Sequence, residues 1–272
     1  MTAELDRLVE IMARLRDPVR GCPWDLEQTF KTIAPYTLEE TYEVVEAIEN
    51  DDVKAMAGEL GDLLFQIVFH AQIGREAGLF DLDSIAKGVA DKMVERHPHV
   101  FAERQAKNAE DVLTNWESDK AARREAEAAA ANRSVSALDD VSTALPATTR
   151  AVKLQKRAAR VGFDWAEAGE VLAKIKEEIN ELEQEIAGGS GDAMEDEMGD
   201  MFFAIVNLAR KLEIDPETAL RRTNRKFEKR FRAVESDVLG MGKRMEDTPL
   251  QDMEALWIKA KNDEKKSVSG QS

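Results

Sequence analysis

The sequence predicts an all-α protein built as two tandem helical-bundle domains. Three observations carry that expectation. The 272 residues exceed one small domain and suit two, at about 100 to 200 residues each. Only 15 Gly, 7 Pro and 2 Tyr stand against plentiful Ala, Glu, Leu, Lys and Arg, whose straight side chains lose little freedom in helices. An acidic pattern recurs in both halves at the same spacing. With 43% apolar and 34% charged residues, the chain has the make-up of folded, water-soluble protein rather than disorder.

The elements follow in order. Leu5, Leu8, Val9, Met12 and Leu15 fall along one helical face, and that helix ends near Asp17-Pro18. Thr37 with Glu40 reads as a capping box opening a helix through Tyr42, Val45 and Ile48, closed by Asn50, Asp51 and Asp52. Helices are expected over 53–76, ending at Gly78, and over 82–96, stopped by Pro98. Asn108 opens one more, which dissolves into the Ala-rich stretch from Ala121 to Ala131. In the second half, helices are expected over 146–160, 166–187 and 193–212, with a Gly188-Gly189-Ser190-Gly191 turn between the last two. Asp215 and Pro216 start the next, and Thr248-Pro249 with Gln251 starts the last. Domains are thus expected over 1–131 and 144–264, with a linker at 132–143 and a disordered tail at 265–272.

Net charge excludes some functions. At −16, the chain lacks the cationic surface from which nucleic-acid binding draws its affinity, so no nucleic-acid partner is expected. A free nucleotide would need a cation to bridge like charges. No apolar run approaches the roughly 18 residues of a membrane span, and no signal-peptide pattern opens the chain. With Cys22 as the single cysteine, a reducing cytoplasm is the expected setting.

The repeated acids are Glu40, Glu43, Glu59 and Asp62 in the first half and Glu178, Glu181, Glu197 and Asp200 in the second. Both sets run at successive spacings of 3, 16 and 3 residues. The Gly61-Asp62-Leu63-Leu64-Phe65 context matches Gly199-Asp200-Met201-Phe202-Phe203. Residues three apart share a helix face, so ExxE on one helix and ExxD on its hairpin partner can aim four carboxylates into one pocket. Four such charges repel unless a hard divalent ion sits among them. Magnesium suits best, since it accepts phosphate oxygens as further ligands; manganese is a substitute and calcium a weaker second choice.

A single ExxE in a chain with 54 acidic residues is ordinary solvated surface, and only the repetition argues otherwise. Gly61 and Gly199 in mid-helix suggest close approach of another backbone, since each costs about 1 kcal/mol relative to Ala. Di-iron bundles need Glu-x-x-His, and none of His70, His97 and His99 follows a glutamate by three residues. Cys22 has no base nearby in sequence and reads as a packed thiol.

Further motifs accompany the acids: Gly21-Cys22-Pro23-Trp24-Asp25 with Gln28-Thr29, Tyr36-Thr37-Leu38-Glu39-Glu40-Thr41-Tyr42-Glu43, and Arg96-His97-Pro98-His99-Val100-Phe101. The second half has Val161-Gly162-Phe163-Asp164-Trp165, Glu177-Glu178-Ile179-Asn180-Glu181 and Lys226-Phe227-Glu228-Lys229-Arg230-Phe231. Together these resemble the MazG-type nucleoside triphosphate pyrophosphohydrolases over nearly the whole chain.

The resemblance implies the all-α NTP pyrophosphatase fold, a homodimer, and magnesium-dependent hydrolysis of a nucleoside triphosphate to monophosphate and pyrophosphate. It further implies metal binding by Glu178, Glu181, Glu197 and Asp200, and substrate contact by Lys174, Lys226, Lys229, Arg230 and Trp257. Lys226 and Arg230 share a helix face and suit phosphate, and Trp257 offers a ring for a base. Glu177, or a carboxylate such as Glu178 not fully engaged with metal, is the candidate to orient the attacking water. Glu40, Glu43, Glu59 and Asp62 are expected to bind metal as well, beside a different cationic set of Lys92, Arg96 and His97. The competing reading is a non-catalytic helical nucleotide-binding or interaction protein, which would show no magnesium response.

Overall fold

The computed structural model describes residues 3–102, 108, 111, 112, 121, 124–126, 128–130, 132 and 134–269, the last five by backbone alone. Every regular element among them is helical. The chain divides into two compact units, Met1–Ala121 and Ala122–Ser272.

In the first unit, α1 (Ala3–Leu15) packs on α4 (Val53–Glu76), which forms a hairpin with α3 (Phe30–Glu49). The short α2 (Pro23–Glu27) precedes the hairpin, and α5 (Leu82–Arg96) and α6 (Pro98–Phe101) follow it. Met12, Ile33, Val68, Phe69 and Ile73 form the core, flanked by Leu5, Leu8, Val9, Phe30, Phe65 and Leu82. The spacing of Leu5, Leu8 and Met12 is the helical apolar stripe, and burial of such a face drives the packing.

Helix ends obey local chemistry. Asp52 caps α4 by accepting from the Ala55 amide at 2.9 Å, and Gly78 after its end takes φ +66°, open to glycine at little cost. Asp81 and Ser84 form a reciprocal box at the start of α5, each bond 2.9 Å. The expected capping box at Thr37 is not formed. Thr29 and Thr32 box the helix two turns earlier, and Pro35 is accommodated inside it, so α3 starts at Phe30. Thr37 instead donates to the Ile33 carbonyl at 3.3 Å, with its oxygen 2.9 Å from His70 Nε2. Asn108 does cap, accepting from the Asp111 amide at 2.8 Å; most of the helix expected beyond it lies outside the described residues.

Arg16 closes this unit. Its guanidinium grips Glu76 at 2.6 to 3.1 Å, reaches the carbonyls of Asp25 and Gln28, and lies 5.4 Å over the Phe69 ring. That bond holds the Glu76 carboxyl below its usual 4.5. A depressed carboxylate contributes stability that is present above 4.5 and is lost as pH falls through the lowered value. Urea unfolding is therefore expected to find Glu76→Gln less stable than the parent at neutral pH, with the deficit shrinking below pH 4.5. A deficit constant through that range would contradict the assignment.

In the second unit, α7 (Ala147–Arg160) packs on α9 (Gly191–Lys211), which pairs as a hairpin with α8 (Ala168–Gly188). α10 (Pro216–Gly240) packs along α11 (Leu250–Ser269). Ala151, Val171, Ala204, Val206, Val234 and Val238 are buried. Ser190 caps α9 by accepting from the Ala193 amide at 3.2 Å, so this helix opens two residues before the expected point. Asp215 caps α10 at 2.7 Å, with Pro216 in the first turn as anticipated. Thr248 does not join a box with Gln251; its hydroxyl donates back to the Arg244 carbonyl at 2.8 Å, ahead of α11. α11 runs to Ser269, so part of the expected disordered tail has helical backbone, as its Lys265-Lys266 allows.

Candidate functional site

Each hairpin brings its acids together. Glu40 and Glu43 lie one turn apart on α3, and α4 brings Glu59 to them; one oxygen from each of the three lies within 4.8 Å of the others. In the second unit the convergent trio is Glu178 on α8 with Glu197 and Asp200 on α9, again within 4.8 Å. Asp62 and Glu181 stand outside these trios, although both are close enough to act on their neighbours electrostatically.

The field in both clusters is repulsive. Partial burial, then the charges of Glu43, Asp62, Glu39 and Glu59, raise Glu40 above the usual carboxylate range. Burial, then Glu43 and Asp62, raise Glu59, and burial, then Glu181, Glu178 and Asp200, raise Glu197. Such crowding of like charges costs energy unless protons or a cation relieve it. Glu39, Glu46 and Glu185 add to the field, and sequence reasoning did not single them out for it. Their spacing was the available signal, since Glu46 continues the ExxE register and Glu185 follows Glu181 by one turn.

Gly61 and Gly199 do not mark a close backbone approach, contrary to expectation. A Cβ at either position would meet nothing within 4 Å. Both glycines face open space beside the metal-candidate aspartates.

The cations divide into two groups. Lys174, on α8, points its Nζ at Glu177 Oε1 (2.7 Å) and Glu178 Oε1 (2.8 Å), and these bonds raise its own pKa. Glu178 is only 4% exposed. Arg230 donates to Glu264 at 2.8 Å and lies 5.8 Å over the Trp257 ring, which packs on Phe227 at 5.2 Å. Lys229 approaches the same Glu264 at 3.7 Å, and Lys226 is exposed on α10. Lys229, Arg230 and Glu264 line a cleft of about 350 Å³ between α10 and α11. Among the described residues, no hydrogen bond or ion pair of Lys226, Lys229, Arg230 or Trp257 reaches the carboxylate trio. The structure therefore joins Lys174 to the acids and gathers Lys229, Arg230 and Trp257 on the α10–α11 pair.

The signature segments have structural duties. A Cβ at Gly21 would sit 2.4 Å from the Leu15 carbonyl oxygen, and the Cys22 amide donates to that same oxygen at 2.8 Å. Trp24 is thereby set edge-on to Tyr36 and Phe69, at 5.8 and 6.5 Å. Asp164 ties the Val161–Trp165 segment to the end of α9, bonding Arg210 and, at 2.7 Å, Lys211.

A family model for the MazG nucleotide pyrophosphohydrolase domain matches residues 28–101 and again 167–234, spans that contain the two acidic hairpins. The chain belongs to the MazG family. It is 51% identical to an Escherichia coli nucleoside triphosphate pyrophosphohydrolase over 96% of this chain and 98% of the relative. A Thermotoga maritima protein named nucleoside triphosphate pyrophosphohydrolase/pyrophosphatase is 38% identical over 94% and 95%. An uncharacterised Bacillus subtilis protein is 42% identical over 97% of this chain but 53% of its own length. No helix among the described residues is long and apolar enough to cross a membrane.

Proposed function

We propose that this MazG-family chain hydrolyses nucleoside triphosphates, ribo- and deoxyribo-, to the monophosphate and pyrophosphate with Mg2+, for which Mn2+ can substitute. Its role is house-cleaning or regulation of the nucleotide pool, as a cytoplasmic homodimer. The observation that carries the reading is the doubled convergence of carboxylate oxygens within 4.8 Å on paired helices. The names of the E. coli and T. maritima relatives support it.

The donor set fits a hard divalent ion: all oxygen, all anionic, and crowded enough to raise Glu40, Glu59 and Glu197 above the usual range. Glu178, Glu181, Glu197 and Asp200 would hold it in the second unit, and Glu40, Glu43, Glu59 and Asp62 in the first. A bound ion would offset the carboxylate repulsion and stabilise charge on phosphate oxygens. Glu177 is half-exposed beside Glu178 and would orient the water that attacks the α-phosphorus in line with departing pyrophosphate. Lys226, Lys229 and Arg230 supply donors for the remaining phosphate oxygens, and Trp257 a ring face for the base. Support for a second copy lies on α8 and α9, where Leu172, Ile179, Phe202, Phe203 and Ile205 stay exposed, Phe202 at 59%.

The test is incubation of purified protein with a panel of nucleoside triphosphates, with and without magnesium. Release of pyrophosphate only when magnesium is present is expected. Orthophosphate as the first product, or turnover indifferent to magnesium, would overturn the proposal. Nucleotide binding without turnover would leave a non-catalytic module.

A further inference from the structure

The two acidic clusters share a register but not a counter-charge. In the second unit, Lys174 sits one turn before Glu178 and bonds it at 2.8 Å, while also bonding Glu177 at 2.7 Å. Glu178 is buried, so this ammonium is the partner that makes its burial tolerable. One turn before Glu40, the matching residue is Tyr36, whose ring lies edge-on to Trp24 at 5.8 Å. Among the described residues, no lysine or arginine makes an ion pair with Glu40, Glu43, Glu59 or Asp62, and the charges that raise Glu40 are the carboxylates of Glu43, Asp62, Glu39 and Glu59.

We infer that Lys174 is a tethered counter-cation that competes with the metal ion for Glu178, so the second cluster binds free metal more weakly than the first and is filled together with nucleotide. The inference rests on the reading of these acids as metal ligands. Nζ lies 2.8 Å from Oε1 of Glu178. An incoming divalent ion is repelled by this ammonium whichever oxygen of Glu178 it takes, and at Oε1 it would displace it outright. A triphosphate offers the displaced ammonium a new anionic partner, and a four-carbon stem lets it move by rotamer change alone. Free metal gains no such compensation. The first cluster, with Tyr36 in that place, has no paired cation to displace among the described residues. Lys174 thus acts as a positioning residue that couples metal uptake to the arrival of phosphate.

The test is calorimetric titration of the full chain with manganese(II) chloride, without nucleotide, in a Glu59→Gln background that isolates the second cluster. There, Lys174→Gln is expected to bind manganese about tenfold more tightly, the scale of one charge-assisted contact. It is also expected to bind the manganese complex of a non-hydrolysable α,β-methylene triphosphate more weakly. That split in sign separates coupling from a merely structural role, which would move both affinities the same way. Unchanged or weaker binding of free manganese overturns the inference. The converse variant, Tyr36→Lys in a Glu197→Gln background, is expected to weaken manganese binding at the first cluster by a similar factor, and no change there overturns it equally. This arm stands even if Lys174→Gln does not fold. If the Glu59→Gln parent takes up no manganese, with or without the triphosphate analogue, the metal-ligand reading itself fails.

Discussion

Glu197→Gln is expected to lower pyrophosphate release by on the order of a hundred- to a thousandfold, because it removes one carboxylate of the convergent trio and with it several kcal/mol of stabilisation. Glu59→Gln, the matching change in the first cluster, is expected to leave most of the turnover. The contrast follows from the surroundings rather than the acids. Only the second cluster has Lys174 bonded to it and a Glu177 that shares that lysine, while the first has Tyr36 and Glu39 in those places. Steady-state kinetics of both variants with one triphosphate would decide. Equal losses would make the clusters equivalent in catalysis, and a larger loss in Glu59→Gln would move the chemistry to the first unit.

The second large effect concerns the attacking water. Glu177→Gln is expected to reduce kcat by roughly a hundred- to ten-thousandfold, the usual range for a missing general base, with little change in affinity for a non-hydrolysable analogue. Glutamine keeps the size of the side chain and still accepts from Lys174 Nζ, now 2.7 Å from the Glu177 carboxylate, so geometry should survive while basicity is lost. Unchanged kcat would remove Glu177 from the mechanism and shift attention to Glu178. A loss confined to KM would make it a binding group.

Much of this was legible in the sequence, and the misses have physical causes. The helix 53–76 was readable because Asn50, Asp51 and Asp52 punctuate the chain before it and Gly78 permits its exit; 82–96 was readable because Pro98 bars its continuation. Convergence of acids was readable because a three-residue spacing keeps each pair on one helix face, but four were expected in each half and three meet, with Asp62 left out of one set and Glu181 out of the other. Thr37 misled because Ser/Thr-x-x-Glu is a local pattern that a stronger local box, Thr29 with Thr32, can pre-empt. Gly61 and Gly199 misled because a missing side chain says nothing about what stands opposite. Arg16 gripping Glu76, sixty residues away, left no trace in any periodicity. The Lys174–Glu178 pair was spaced for contact, yet only burial of Glu178 distinguishes it from an ordinary surface pair.

The tight passage at Gly21 carries a lesson about signature motifs. Leu15 and Asp17 carbonyl oxygens would lie 2.4 and 2.5 Å from any Cβ placed there, both of them backbone and unable to swing aside. The five-residue segment around it works as a buckle, cinching the end of the first helix and holding the Trp24 indole against the Phe69 ring in the core. Any larger residue at this spot would strain the fold of the first unit. The most recognisable string in the chain therefore has an architectural duty, and the proposed chemistry draws on the plainer acids downstream.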